Sequence, residues 1–258
     1  MTYFFHVHLA YLTMTLGMTA LGLLGWLHLA ESRRDQPQNF PDLPSPNQFF
    51  LLVFFTYLAG IFGAKLAAIL WNLPRLVKGA SLLQIWRGAG LVSFGGYLGA
   101  IAAIIIYSRL KVYHALKVLD IFCAYLGAFD VFQRLGCIAI GCCRGQTVMD
   151  TPGWFINRVT LGLGLARHPF PFYMMLFAFA LLTIMARAIK KPHRPGEIFL
   201  RYFMIYSAGR FCLEFLREEP VLTWLKPLTA PQAVCVVILV TAFIAKKRMG
   251  ASWKTTAG

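Results

Sequence analysis

The chain has 258 residues, 58% of them hydrophobic and only 14% charged, against roughly 45 to 50% and 25% in soluble domains. That balance excludes an ordinary water-soluble globule and points to an integral membrane protein. The net charge of +15 would suit a polyanionic partner, but the basic residues gather at alternate ends of apolar segments. That is the pattern of membrane topology, so no nucleic-acid partner is expected.

Seven apolar segments of about the length needed to cross roughly 30 Å of hydrocarbon run over residues 4–30, 48–73, 89–108, 119–143, 168–189, 197–216 and 231–246. The expected fold is an all-α, seven-transmembrane-helix bundle. The first segment has no basic n-region and no small-residue cleavage site before Glu31, so it is expected to remain as the first helix. The stretch from Glu31 to Asn47 contains Pro37, Pro41, Pro44 and Pro46, which reads as a connection between two helices. With short loops and no internal repeat, the whole chain, residues 1–258, reads as one transmembrane domain.

An N-terminus outside places Arg33, Arg34, Arg109, Lys111, Lys117, Arg187, Lys190 and Lys191 inside, together with the closing Lys246, Lys247 and Arg248. The opposite ends hold a smaller basic set, among them Arg75, Arg87, Arg158 and Arg217. The positive-inside bias therefore favours an external N-terminus and a cytoplasmic C-terminus.

Six cysteines, at 123, 137, 142, 143, 212 and 235, fall inside or at the end of these segments and are expected as free thiols. Adjacent Cys142 and Cys143 on a continuing helix would point in different directions. No second pair follows at zinc spacing, so neither a metal nor a cofactor is expected.

Lys65, Arg134, Arg201 and Arg210 lie within the apolar segments. An arginine at a membrane helix centre costs about 2.5 to 3.5 kcal/mol even on the lenient insertion scale. Each therefore needs a cavity, a partner or a charged ligand. Asp130 and Arg134 are spaced i, i+4, as are Arg210 and Glu214, with Arg217 about a turn further on, so each pair can share a helix face. Such pairs can be self-neutralising elements that hold a bundle together. Gly136 and Gly141 beside Arg134 also allow a helix or ligand to approach closely. In "AGLVSFGGYLGA", Gly95 and Gly96 belong to a run of small residues that by composition alone is a packing face. A guanidinium is a planar fork suited to phosphate, so the two arginine-bearing segments suggest a polar chamber for an anionic headgroup.

Five pieces in order resemble bacterial prolipoprotein diacylglyceryl transferases. "FGAKLAAIL" is similar to that family's GGR-type segment, with Lys65 for arginine, and "WRGAGLVSFGGYLGA" to its GGL-x-(H/Y)-GG-x-x-G segment. "QRLGCIAIGCCRG" resembles GR-x-GC-x-x-x-GCC-x-G, the most specific of the five. "RHPFPFYM" resembles H-P-(T/S)-Q-L-Y-E, and "RPGEIFLRYFMIYSAGRFCLEFLREEP" resembles the RF-x-x-EF-x-R region.

The resemblance implies seven membrane helices, phosphatidylglycerol as donor, and transfer of its diacylglyceryl group to the lipobox cysteine of a lipoprotein precursor, with glycerol phosphate released. It implies a multi-pass enzyme of the bacterial inner membrane whose partners are the lipid, the precursor signal peptide and the bilayer. Arg134 and Arg210 match the family's essential arginines, and His168 is the candidate base. Gly95, Gly96, Gly136, Tyr173, Glu214 and Arg217 are the implied substrate-binding positions. The chain departs from the pattern at Phe94, where the family has His or Tyr, at Pro171 and Met174, where it has Gln and Glu, and at Gln133, where it has Gly. These departures fall on the acceptor side and the base, which leaves open two other readings. One is a divergent paralogue with another acceptor, and the other a non-catalytic lipid-binding protein of the same fold.

Overall fold

The structure is a computed structural model that describes residues 2–35, 42–73, 79, 81–88, 92–143, 145–146, 167–217 and 228–256. Among the described residues there are eight helices and no strand: α1 (Thr2–Asp35), α2 (Pro46–Trp71), α3 (Leu82–Gly88), α4 (Ser93–Leu110), α5 (Ala115–Ile140), α6 (Phe170–Ala188), α7 (Glu197–Glu214) and α8 (Ala230–Thr256). The seven apolar segments correspond to the long helices, and α3, 7 residues or about two turns, lies between the second and third.

Five helices are long and apolar enough to cross a membrane: α1, α2, α4, α6 and α8. The two long helices outside that set, α5 and α7, hold four charged residues each, five of the eight buried. Helix α5 holds Lys117, Asp120, Asp130 and Arg134, and α7 holds Glu197, Arg201, Arg210 and Glu214. Exposed leucines and phenylalanines such as Leu58, Phe62, Leu98, Phe179 and Phe243 suit helices whose outer faces meet hydrocarbon.

The chain divides into two compact units, residues 1–21 with 120–258 and residues 22–119. In the second unit, α2 and α4 meet along small residues. A methyl group added to Gly95 would run into Ala67 Cβ and Gly63 O, and one on Gly99 into Ala59 O. Ala59, Gly63 and Ala67 recur every four residues on α2, as Gly95 and Gly99 do on α4, so the backbones touch where side chains would separate them. Helix α2 starts with a capping box: Ser45 Oγ accepts from Gln48 N while Gln48 Oε1 accepts from Ser45 N. Lys65 leaves the apolar face by donating to Trp86 O at 3.0 Å with its ammonium over the Trp86 ring.

In the other unit α5, α6 and α7 pack through glycines. A Cβ on Gly127 would lie 2.7 Å from Ala178 O, and one on Gly209 would meet the Phe177 ring. Helix α7 begins at Gly196, whose φ of 87° needs glycine and which offers no capping side chain. The cap comes from α5: Asp120 Oδ2 accepts from Gly196 N at 2.6 Å and Oδ1 from Phe199 N at 2.8 Å. A carboxylate at a helix N-terminus satisfies donors that have no intrahelical acceptor and matches the helix dipole. Arg201, one of the intramembrane cations of the sequence, forms an i, i+4 pair with Glu197 at 2.8 Å and is half exposed.

Helix α5 ends earlier than the apolar run through residue 143 suggests. Gly141 takes φ 70°, its N–H donates to Ile138 O, and Cys142 N–H donates to Cys137 O. These two bonds make a Schellman turn, which folds the chain back over the last helical turn. The expectation that Cys142 lies within a continuing helix is corrected accordingly.

Candidate active site

Within the unit that holds residues 120–258, backbone hydrogen bonds gather three motifs that are far apart in sequence. Gly145 and Arg217 form an antiparallel bridge, Gln146 N donates to Leu216 O, and His168 N donates to Gln146 O. The segment after the cysteine pair, the segment before α6 and the end of α7 thus meet at one junction. Gly145 is required there, because a Cβ would run into His168 O. Arg167 Nη1 adds a bond to Gly145 O at 3.3 Å.

The buried charges lie on the helices leading into this junction. Arg134, Asp130, Arg210 and Glu214 are each less than a tenth exposed. Glu214 Oε1 accepts a hydrogen bond from Arg217 Nη1 at 3.2 Å, and Oε2 forms an ion pair with Arg210 Nη2 at 3.0 Å. Both guanidinium groups also stand over one ring, Phe170 at the start of α6, at 5.4 and 5.5 Å from its centroid. Phe170 is fully buried, so the ring and the carboxylate together fix two arginines in place.

On α5, Asp130 accepts a 2.7 Å hydrogen bond from Tyr202 Oη, and Tyr202 stacks on Tyr206 with ring planes 10° apart. The ionisable side chains in electrostatic reach of Arg134 are Tyr206, Cys137, Asp130 and Cys143. Tyr206 and Arg210 are i, i+4 on α7, so Arg134 and Arg210 attend neighbouring turns of one helix face. Among the described residues, the three arginines Arg134, Arg210 and Arg217 stand against the two carboxylates of Asp130 and Glu214. Arg134 Nε and Arg210 Nη1 are buried with no hydrogen-bond acceptor among the described residues.

His168 and Tyr173 come together: His168 Nδ1 lies 3.5 Å from Tyr173 Oη and the rings are 6.1 Å apart. Both are half-buried. Gly136 packs against α1, where an added Cβ would meet Thr13 Oγ1. Gly95 and Gly96 belong to the other unit, where they are helix-packing residues of the α2–α4 seam. Met174 and Pro171, two of the departures, are buried on α6.

Sequence reasoning missed four participants. Asp120, the cap of α7, was visible only as an acid near the start of a long apolar run. Phe170 and Tyr206 passed as ordinary aromatics, and Cys137 was not connected with Cys142 and Cys143.

A model of the prolipoprotein diacylglyceryl transferase family matches residues 7–246. The chain belongs to this family. Among its relatives, a phosphatidylglycerol–prolipoprotein diacylglyceryl transferase of Clostridium tetani is 28% identical over 204 residues, 79% of this chain and 80% of the relative. A second transferase of that name, numbered 2, from Clostridium perfringens is 28% identical over 175 residues, 67% of this chain and 68% of its own length. One from Dehalococcoides mccartyi is 31% identical over 168 residues, 62% of this chain. The matched range takes in Arg134, Arg210 and the junction formed by Gly145, Gln146, His168 and Arg217.

Proposed function

We propose that this chain is itself a phosphatidylglycerol–prolipoprotein diacylglyceryl transferase, with Arg134 and Arg210 as the groups that hold and stabilise the lipid phosphate. The observation that carries this reading is the pair of buried guanidinium N–H donors, Arg134 Nε and Arg210 Nη1, that have no acceptor among the described residues. A buried donor left unmade costs about 1 to 3 kcal/mol, more when charged. A phosphate offers anionic oxygens to both, which converts that cost into recognition.

The chemistry follows from the charge. The thiol sulfur of the acceptor cysteine attacks the glycerol C3 carbon of the lipid. The C3–O bond to phosphorus breaks, and its electron pair leaves with glycerol phosphate. A phosphodiester with one negative charge becomes a monoester with more, so fixed positive charge at the phosphate favours the transition state over the bound lipid. Glu214 and Phe170 keep Arg210 and Arg217 from following the leaving group. The thiol, with an ordinary pKa near 8.5, must give up its proton. His168 beside Tyr173 is the base in this reading, since Phe94 cannot accept one. Tyr173, Gly136, Glu214 and Arg217 complete the substrate-binding set in this unit, while Gly95 and Gly96 serve the α2–α4 packing seam.

The reading includes seven spans, with the N-terminus outside, the C-terminus in the cytoplasm and the protein in the bacterial inner membrane. Basic residues occupy the last turns of α1, α4 and α6, at Arg33 and Arg34, Arg109 and Arg187, and are absent from the last turns of α2, α5 and α7. That alternation supports the first, third and fifth spans ending inside. Counting α5 and α7 as spans is supported by their length and by the burial of Asp120, Asp130 and Arg134 on α5 and of Arg210 and Glu214 on α7.

The test is genetic: expression in a bacterium depleted of its own transferase should restore lipid-modified lipoproteins. Accumulation of unmodified precursor despite normal expression would contradict the proposal.

A further inference from the structure

Three cysteine sulfurs, of Cys137, Cys142 and Cys143, all lie within 4.8 Å of one another. The reason is the end of α5. The Schellman turn at Gly141 brings Cys142 N onto Cys137 O at 3.1 Å, and Cys143 takes a left-handed φ of 57°. A non-glycine residue held there costs about 1 to 2 kcal/mol, so the turn imposes a conformation that Cys143 would not choose alone. All three are free; Cys137 and Cys143 are half-buried and Cys142 is the more accessible ligand.

We propose that Cys137, Cys142 and Cys143 form a binding site for one thiophilic divalent metal ion of the zinc class. Zinc–sulfur bonds of about 2.3 Å in tetrahedral geometry place ligand sulfurs about 3.8 Å apart. Sulfurs already within 4.8 Å need to close by about 1 Å, which rotamer adjustment of three short side chains supplies. Binding releases the thiol protons and leaves three thiolates on the ion. Three thiolates and a divalent cation carry one net negative charge. Among the described residues, Arg134 and Arg217 are cations in electrostatic reach of Cys143, so the complex, though not a bare metal ion, is matched by its surroundings. Three protein ligands leave the fourth position of the ion open to water or to an incoming thiol. The site does not rest on the lipid reading, and its binding test stands apart from any transferase assay.

The experiment uses the full chain in detergent, reduced with a phosphine and stripped of metal, titrated with cadmium chloride. Sulfur-to-cadmium charge-transfer absorption should rise to one ion per chain and reverse when zinc chloride competes. Cys142→Ser and Cys137→Ala should each weaken cadmium binding at least 100-fold. A variant with Cys123, Cys212 and Cys235 changed to Ala should bind as the unaltered chain does. X-ray absorption of the zinc-loaded unaltered chain, which needs no variant to fold, should count three sulfur neighbours at about 2.3 Å. Absence of stoichiometric cadmium binding by the reduced unaltered chain overturns the site. So does a zinc shell of oxygen and nitrogen alone, or cadmium affinity unmoved by Cys142→Ser.

Discussion

Arg210 Nη2 stands 3.0 Å from Glu214 Oε2, one helical turn away on α7, with both side chains nearly inaccessible to solvent. The carboxylate is shared, because Arg217 reaches its other oxygen at 3.2 Å. A buried ion pair contributes little net stability when intact, but removing one member leaves the other as an uncompensated buried charge.

Glu214→Gln should therefore destabilise the protein by about 3 to 5 kcal/mol, since two guanidinium groups lose one carboxylate. Thermal unfolding in detergent measures this. A melting temperature unchanged from the parent would show that Glu214 is not what holds Arg210 and Arg217.

Arg134 should matter more to rate than to stability. Its Nε has no acceptor among the described residues, so Arg134→Ala should lower the melting temperature less than Glu214→Gln does, the loss being set by Asp130, the buried carboxylate in its electrostatic reach. The same change should slow glycerol phosphate release by about 100- to 1000-fold, the loss typical of one electrostatic donor at a transition state. Arg134→Lys should fall between, because an ammonium keeps the charge without the fork. Equal losses of stability and rate in Arg134→Ala would make the residue structural.

Tyr202 Oη and Asp130 Oδ2 are 2.7 Å apart and both groups are buried. Tyr202→Phe should cost about 1 to 3 kcal/mol by leaving a buried carboxylate oxygen without that donor. Asp130→Asn should likewise lower stability or expression more than phospholipid turnover. The reverse ranking, with turnover lost and the fold intact, would put Asp130 in the chemistry.

The seam between α2 and α4 predicts intolerance at Gly95. A methyl group there would meet Ala67 Cβ and Gly63 O, and the opposing atom is backbone, which cannot rotate away. Gly95→Ala should reduce the yield of folded protein by several-fold on size-exclusion chromatography. A normal yield would show that the two helices can separate at no cost.

Much of this arrangement is legible in the sequence because it is local. Arg210 with Glu214 is an i, i+4 pair whose geometry needs only a helix, and the long helices follow from apolar length. The Asp130–Arg134 spacing is just as regular, yet the short bond from Asp130 goes to Tyr202, 72 residues away. Nothing in a helical repeat announces that partner. The cap on α7 is hidden in the same way, since Gly196 carries no side chain and Asp120 comes from another helix. The cysteine cluster was lost by extending α5 through residue 143. Gly141 was the available signal, as glycine at a helix end favours the left-handed turn that folds the chain back.

The most direct measurement is an assay of purified protein in phosphatidylglycerol micelles with a lipobox peptide, scored for peptide mass and for released glycerol phosphate. The peptide should gain one diacylglyceryl group per glycerol phosphate released, and Arg134→Ala should slow both by about 100- to 1000-fold. A peptide left unmodified by the parent protein, or modified equally well by Arg134→Ala, would contradict it.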